Sequence, residues 1–347
     1  MTRADGDGAN QAVADLYNAL MTGVVLTLVT RRGEEVAREF VFRHFRRQHL
    51  EKFKPGLIKL GLDKLPHAVA CAQYHYLSNA VGGVKTEYVR ESDRKAWVRY
   101  PPPRWIWRGT AVCAVPHAVN AAMLHGWHGH NGVSLGNPRL GFVCTGMITT
   151  GAPGLEGYYL EYDRDITERE RVRFVEGETM PRFDVAQAPT LDVASWPAER
   201  LHKVYRSYAM EYVRSLLPTL LELIGAEGVR EEVGRAARLV GMQYFDECAR
   251  LLGGAADSFA AFLAAMQAAQ GEDVTLDGGS VTQRGWKLMR GVALGDDDRA
   301  LAAFDAWNEL WRGALAASDR FQALETRRAR GGDGDWTIEW RVRTSAR

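Results

Sequence analysis

Three histidines stand close together in His125-Gly126-Trp127-His128-Gly129-His130-Asn131. Imidazole changes its charge near neutral pH, so such a cluster suits proton transfer, polar recognition or metal ligation. On a regular helix His125 and His128 share a face at the i, i+3 spacing, whereas His130 points about 140° away from His125. One metal held by all three would need the flanking glycines to end the helix early and bring His130 round. His125 and His128 are therefore the candidate bases and His130 and Asn131 candidate substrate contacts. Metal ligation by His125, His128 and His130 is the alternative use of the cluster, and no other cofactor is expected.

Cys144 lies in Leu140-Gly-Phe-Val-Cys-Thr145, where the period of two in a strand puts it on one face with Leu140 and Phe142. A thiol becomes a nucleophile only beside a base, and the histidines just upstream are the expected suppliers. The carboxylates come from two further stretches. Residues 155–163 carry Glu156, Glu161 and Asp163 among Tyr158, Tyr159 and Tyr162, while Glu87 and Glu91 share a face of an earlier strand. Glu161 is the candidate orienting acid, with Glu87 and Tyr159 as substrate contacts. His75, on an apolar helix, and Trp105, after Pro101-Pro102-Pro103, complete the candidate set.

These residues need elements to hold them. Residues 1 to about 11 are polar and small and are expected to be disordered. Leu16, Leu20, Val24 and Leu28 recur at helical spacing, and Pro55-Gly56 punctuates the helical run ending near Leu62. Pro66 suits the first turn of a helix closed by Gly82-Gly83. A hairpin over 85–100 turns near Ser92-Asp93, an Ala-rich helix follows over 116–131, and a second hairpin pairs 139–147 with 155–163. The acidic, Pro-containing stretch 167–197 reads as a connection, and residues 196–225 as a further helix or helix pair. Helices are then expected over 229–252, 257–269 and 297–316, with hairpins about Asp277-Gly278-Gly279 and Gly331-Gly332-Asp333-Gly334.

The order of landmarks repeats. Gln73-Tyr74, Gly82-Gly83, Trp97, Trp127, Arg139 and Thr145 are followed, in the same order, by Gln243-Tyr244, Gly253-Gly254, Trp286, Trp307, Arg320 and Thr326. This predicts an α+β fold with an internal duplication: two helix–hairpin–helix–hairpin units, each an antiparallel sheet covered by helices. The segments are 1–62 (helical), 63–166 (first repeat), 167–225 (connection and helices) and 226–347 (second repeat). Shared residues read as scaffold, and chemistry is expected where the copies differ. His75 then stands against Phe245, His128 against Asn308 and Cys144 against Glu325. The first repeat becomes the active one.

Composition narrows the partners. Lys and Arg number 44 against 43 Asp and Glu, without the basic excess that nucleic acid requires. The most apolar early stretch, Met21–Thr30, is about half of a membrane span. Four cysteines without C-x-x-C spacing and an N-terminus lacking a leader pattern point to a reducing cytoplasm. The expected partner is a small-molecule substrate, with neither nucleic acid nor membrane, and self-association into a homo-oligomer is left open.

The run Leu135-Gly-Asn-Pro-Arg-Leu-Gly-Phe-Val-Cys-Thr-Gly-Met-Ile-Thr-Thr-Gly151, followed by Glu156-Gly-Tyr-Tyr-Leu-Glu-Tyr162, resembles the hydrolases of L-2-amino-thiazoline-4-carboxylic acid. The order of helices and hairpins is also similar to that of 4-vinyl-reductase-type ligand-binding domains. The first resemblance implies hydrolysis of a small nitrogen heterocycle or amide with Cys and acidic residues near the pocket. Here histidines occupy the stretch where that family has Cys and Asp. The expectation is a hydrolase or lyase acting on a small polar metabolite, with a non-catalytic small-molecule-binding or sensor module, and a His-cluster metalloenzyme, as alternatives.

Overall fold

The computed structural model describes residues 5–102, 113–192, 194–254, 258–330 and 336–344. Trp105 and the Gly331–Gly334 turn lie outside them. The chain divides into two compact units, Leu28–Leu201 and Met1–Thr27 with His202–Arg347. The helical segment expected over 1–62 is thus split after Thr27, and the expected connection over 167–225 is split after Leu201.

Helix α1 (Asp5–Arg32) begins inside the stretch expected to be disordered. By length and composition residues 8–32 are apolar enough to cross a membrane, a longer run than Met21–Thr30. However, 67% of that apolar window is buried inside the protein, the environment of a core helix.

The Leu28–Leu201 unit places α2 (Glu34–Lys59), α3 (His67–Val81), α4 (His117–Gly126) and α5 (Asn131–Ser134) with five strands. These are β1 (Glu87–Arg90), β2 (Lys95–Tyr100), β3 (Leu140–Gly146), β4 (Leu155–Glu161) and β5 (Val172–Phe174), in the order β1-β2-β4-β3-β5. The first four pair antiparallel, and β5 joins β3 in parallel. Alternation sorts the side chains. Tyr88, Ala96, Tyr100, Phe142 and Tyr159 face α3, while Trp97, Val143 and Tyr158 pack on the opposite face with Val175 and Met180. The supposed connection therefore supplies a strand and the cover of the outer sheet face. Pro55-Gly56 does not stop α2, which runs through to Lys59 with Gly56 against the Tyr74 ring.

The second unit holds α6 (Ala198–Gly228), bent at Gly225, then a π turn (Val229–Val233), α7 (Gly234–Leu251), α8 (Phe259–Ala269) and α9 (Asp297–Ser318). Strands β6 (Asp273–Asp277), β7 (Ser280–Arg284), β8 (Gln322–Arg330) and β9 (Trp336–Thr344) form an antiparallel sheet in the order β6-β7-β9-β8. Helices α7 and α9 cross at two glycines. A Cβ on Gly241 would lie 1.9 Å from the Leu310 carbonyl, and one on Gly313 would lie 2.0 Å from that of Arg238. Both units are α+β, and their first four strands share one order.

The residue correspondences read from the sequence do not follow that order. The helix just before β1 is α3, which carries Gln73-Tyr74, but the helix just before β6 is α8; Gln243-Tyr244 lies one helix earlier, with Gln243 exposed. Trp97 is on β2, whereas Trp286 lies beyond the end of β7. Glu325 is exposed and paired with Arg343 at 2.8 Å, on the face opposite that of buried Leu324. It is therefore no counterpart of buried Cys144, and that correspondence falls.

A different recurrence appears in its place. On the fourth strand in chain order, the buried Tyr159 hydroxyl accepts from Asn131 Nδ2 at 3.0 Å; on β9 the buried Trp340 Nε1 donates to Asn308 Oδ1 at 2.7 Å. Each aromatic sits between an inner-strand and an edge-side neighbour, Ala96 and Phe142 in one sheet and Val281 and Thr326 in the other. In both units an asparagine after or on the last helix holds the central aromatic of the sheet.

Candidate functional site

The histidine segment is not one helix. Helix α4 ends at Gly126, His128–His130 form a 3-10 turn, and α5 begins at Asn131. Close packing coincides with the break. A Cβ on Gly126 would come within 2.6 Å of the Phe42 carbonyl, so α2 and α4 touch there backbone to backbone. Arg46 of α2 completes the end of α4, donating from Nε to the Gly126 carbonyl at 2.9 Å and from Nη2 to the His125 carbonyl at 3.1 Å. A cation on those last carbonyls also opposes the negative end of the helix dipole.

The tighter turn changes which histidines meet. His128 faces inward and is 4% exposed, whereas His125 and His130 both line one outer cavity of about 350 Å3. Phe42, Arg46, Glu168 and Arg171 line it with them. The i, i+3 pairing expected for His125 and His128 is therefore broken, and the three histidines do not surround one point. Among the described residues no three His, Cys, Asp or Glu side chains converge as metal ligands.

The cavity is positive in character. Arg46 and Arg171 contribute two guanidinium groups against the carboxylate of Glu168. Arg171 Nη1 is buried with no hydrogen-bond partner among the described residues, lying where a Cβ on Gly132 would come within 3.0 Å. Partial burial first, then the charges of Arg46 and Arg171, push His130 down to about 4. His125 is lowered by desolvation and then by Arg38. Both imidazoles are neutral at pH 7, able to donate and accept one hydrogen bond each beside fixed cations.

A second group lies inside. His75 of α3 and His128 stack with ring centroids 4.3 Å apart and planes 5° from parallel. Tyr159 lies nearly parallel to both at 5.9 Å. His128 Nε2 is 3.3 Å from the Tyr100 hydroxyl, and Phe142 covers the His128 ring. His75 Nε2 has no hydrogen-bond partner among the described residues, and burial pushes this imidazole down to about 3. Ring lone pairs lie in the ring plane, so stacked imidazoles cannot both aim at an ion between them. Cys71, pushed up to about 12 by burial, adjoins Asn131.

The expected site residues thus separate into several places. His75, His128, Asn131 and Tyr159 come together, joined by Cys71 and Tyr100, which the sequence did not single out. Asn131 and Tyr159 are fully buried against each other and recur as Asn308 and Trp340, so they read as scaffold and not as substrate contacts. Cys144 is buried, its thiol turned to the Gly146 carbonyl at 3.5 Å, and burial pushes it up to about 12. A thiol so disposed supplies no thiolate at neutral pH.

Glu161 sits on the outer rim, accepting from Arg139 at 2.7 Å and from Asn137 at 3.0 Å beside His67. Glu87 accepts from Arg99 Nε at 2.7 Å on the sheet face away from α3, because strand alternation sets it opposite Tyr88. Arg46 and Arg171 were missed. Arg46 stood in the helical run ending near Leu62, and Arg171 in the supposed connection. No family model, curated protein or solved structure matches the chain.

Proposed function

We propose that the Leu28–Leu201 unit binds a small organic anion in the cavity between α2, the 3-10 turn and the Glu168–Val172 segment. The observation that carries this reading is the break after Gly126, which sets His125 and His130 on one cavity with Arg46 and Arg171. Arg171 lines the cavity beside Arg46, and a guanidinium is the planar fork that matches a carboxylate. The volume of about 350 Å3 suits a metabolite of modest size. Binding without turnover agrees with the helix–hairpin order that resembles ligand-binding domains. It agrees also with the absence of an activated nucleophile among the candidate residues.

Hydrolysis of a small heterocycle or amide is the second reading, with His125, a neutral imidazole that reaches the cavity, as its base. The two are separated in one set of measurements. Calorimetric titration with small carboxylates, 2-amino-thiazoline-4-carboxylate among them, is expected to show binding that weakens at least tenfold in Arg171→Met, with no product formed. Equal affinity in Arg171→Met overturns the anion site. Turnover that disappears in His125→Ala while affinity stays supports the hydrolase instead.

A further inference from the structure

The cationic cavity has an apolar neighbour. A second cavity of about 490 Å3 runs between α2 and α4, lined by Phe42, Ala118, Ala121, Ala122 and, at its ends, Arg38, Glu39, His117 and His125. Phe42 and His125 line both cavities, so the two adjoin along α2. The alanines recur at positions i, i+3 and i+4 of α4, and short side chains there leave a trough that longer ones would fill. Phe174, 46% exposed, places its ring 6.1 Å from that of His117 and 6.0 Å from that of His125 at the edge of the same trough.

The charges at the two ends are not equivalent. At the far end Arg38 donates to Glu35 at 2.7 Å and Arg43 to Glu39 at 2.6 Å, so each charge there is already matched. At the near end the two guanidinium groups of Arg46 and Arg171 stand against the single carboxylate of Glu168. A ligand with one negative head and one apolar arm therefore has a single orientation: head toward Arg171, His125 and His130, arm along Ala118, Ala121 and Ala122.

From this we infer that the ligand is an amphiphilic carboxylate, a free acid carrying an apolar chain of medium length in the α2–α4 trough. The inference rests on the anion-binding reading above and adds the chemistry of the rest of the ligand. Desolvation of each added methylene contributes about 0.8 kcal/mol, so affinity is expected to rise about fourfold per CH2 from acetate to octanoate until the trough is filled.

The test is a titration of the whole chain with acetate, butyrate, hexanoate, octanoate and 1-octanol, with Ala118→Leu and Arg171→Met beside the unaltered protein. The expected result is affinity that climbs with chain length and is at least tenfold weaker for octanol than for octanoate. Ala118→Leu should flatten the climb while leaving acetate unchanged, and Arg171→Met should weaken every carboxylate alike. Carboxylates that bind with no dependence on length overturn the apolar arm and leave the anion site standing. Octanol binding as tightly as octanoate overturns the oriented amphiphile. Failure of carboxylates of every length to bind removes the anion site itself. The series on the unaltered protein needs no variant, so a misfolded Ala118→Leu does not blunt the test.

Discussion

Burial decides what each candidate side chain can do. Cys71, Cys144 and Cys248 are buried and each is pushed up to about 12, because a thiolate loses its hydration in an apolar interior. Cys113 is exposed. Titration with a thiol reagent at pH 7.5 is expected to find one fast-reacting cysteine, lost in Cys113→Ser, and all four only after denaturation. A second fast thiol abolished by Cys144→Ser would restore the nucleophile. The histidines follow the same rule with the opposite charge: His75 and His49 are pushed down to about 3 by desolvation and stay neutral. They pack as flat aromatic rings, His49 against Phe53 and His75 against His128. Chemistry is left to the groups that reach a cavity, His125, His130, Arg46 and Arg171.

At the scale of elements, Gly126 lets α2 approach the end of α4 backbone to backbone. Gly126→Ala would drive a methyl group to 2.6 Å from the Phe42 carbonyl. Overpacking of this kind costs about 1–3 kcal/mol, which lowers the melting temperature of a unit this size by about 3–10 °C. Thermal melts of this variant beside Ala121→Gly check it, and an unchanged melting temperature for Gly126→Ala would mean that α2 and α4 do not touch backbone to backbone there. The hairpins were legible beforehand, since period-two patterns bounded by Ser92-Asp93 and Asp277-Gly278-Gly279 state both strands and turn locally. The contact at the end of α4 was not, because the residue that meets Gly126 lies some eighty residues upstream in sequence. Strand β5 has three residues, too few to carry a period, and is held by its neighbour β3. The paired landmarks misled for a related reason. A Gln-Tyr pair marks a helix without saying where that helix packs, whereas the Asn131–Tyr159 and Asn308–Trp340 bonds join residues far apart in the chain.

For the molecule as a whole, the two units should answer acid in opposite directions. Eight of the nine histidines lie in Leu28–Leu201. Among them His44, His49 and His75 are held near 3 by burial, against an ordinary 6.5. Between those values the unfolded chain binds more protons than the folded one, so stability falls as pH falls. Each such imidazole removes at most about 1.4 kcal/mol per pH unit below pH 6.5. In the other unit Glu272, 7% exposed, is pushed up to about 7 by burial, and Asp305 is raised for the same reason. There the folded state binds the extra proton between the ordinary carboxyl range and 7, so acidification over that window stabilises. Hydrogen exchange followed by mass spectrometry at pH 7 and pH 5, corrected for the intrinsic rate, reads both units in one sample. Protection of α3 and β4 is expected to drop at pH 5, while that of α8 and β7 holds or rises. In Glu272→Gln the α8 and β7 amides should lose their response to pH with the fold intact. Parallel loss of protection in both units would mean that the buried histidines do not set the acid limit of the fold.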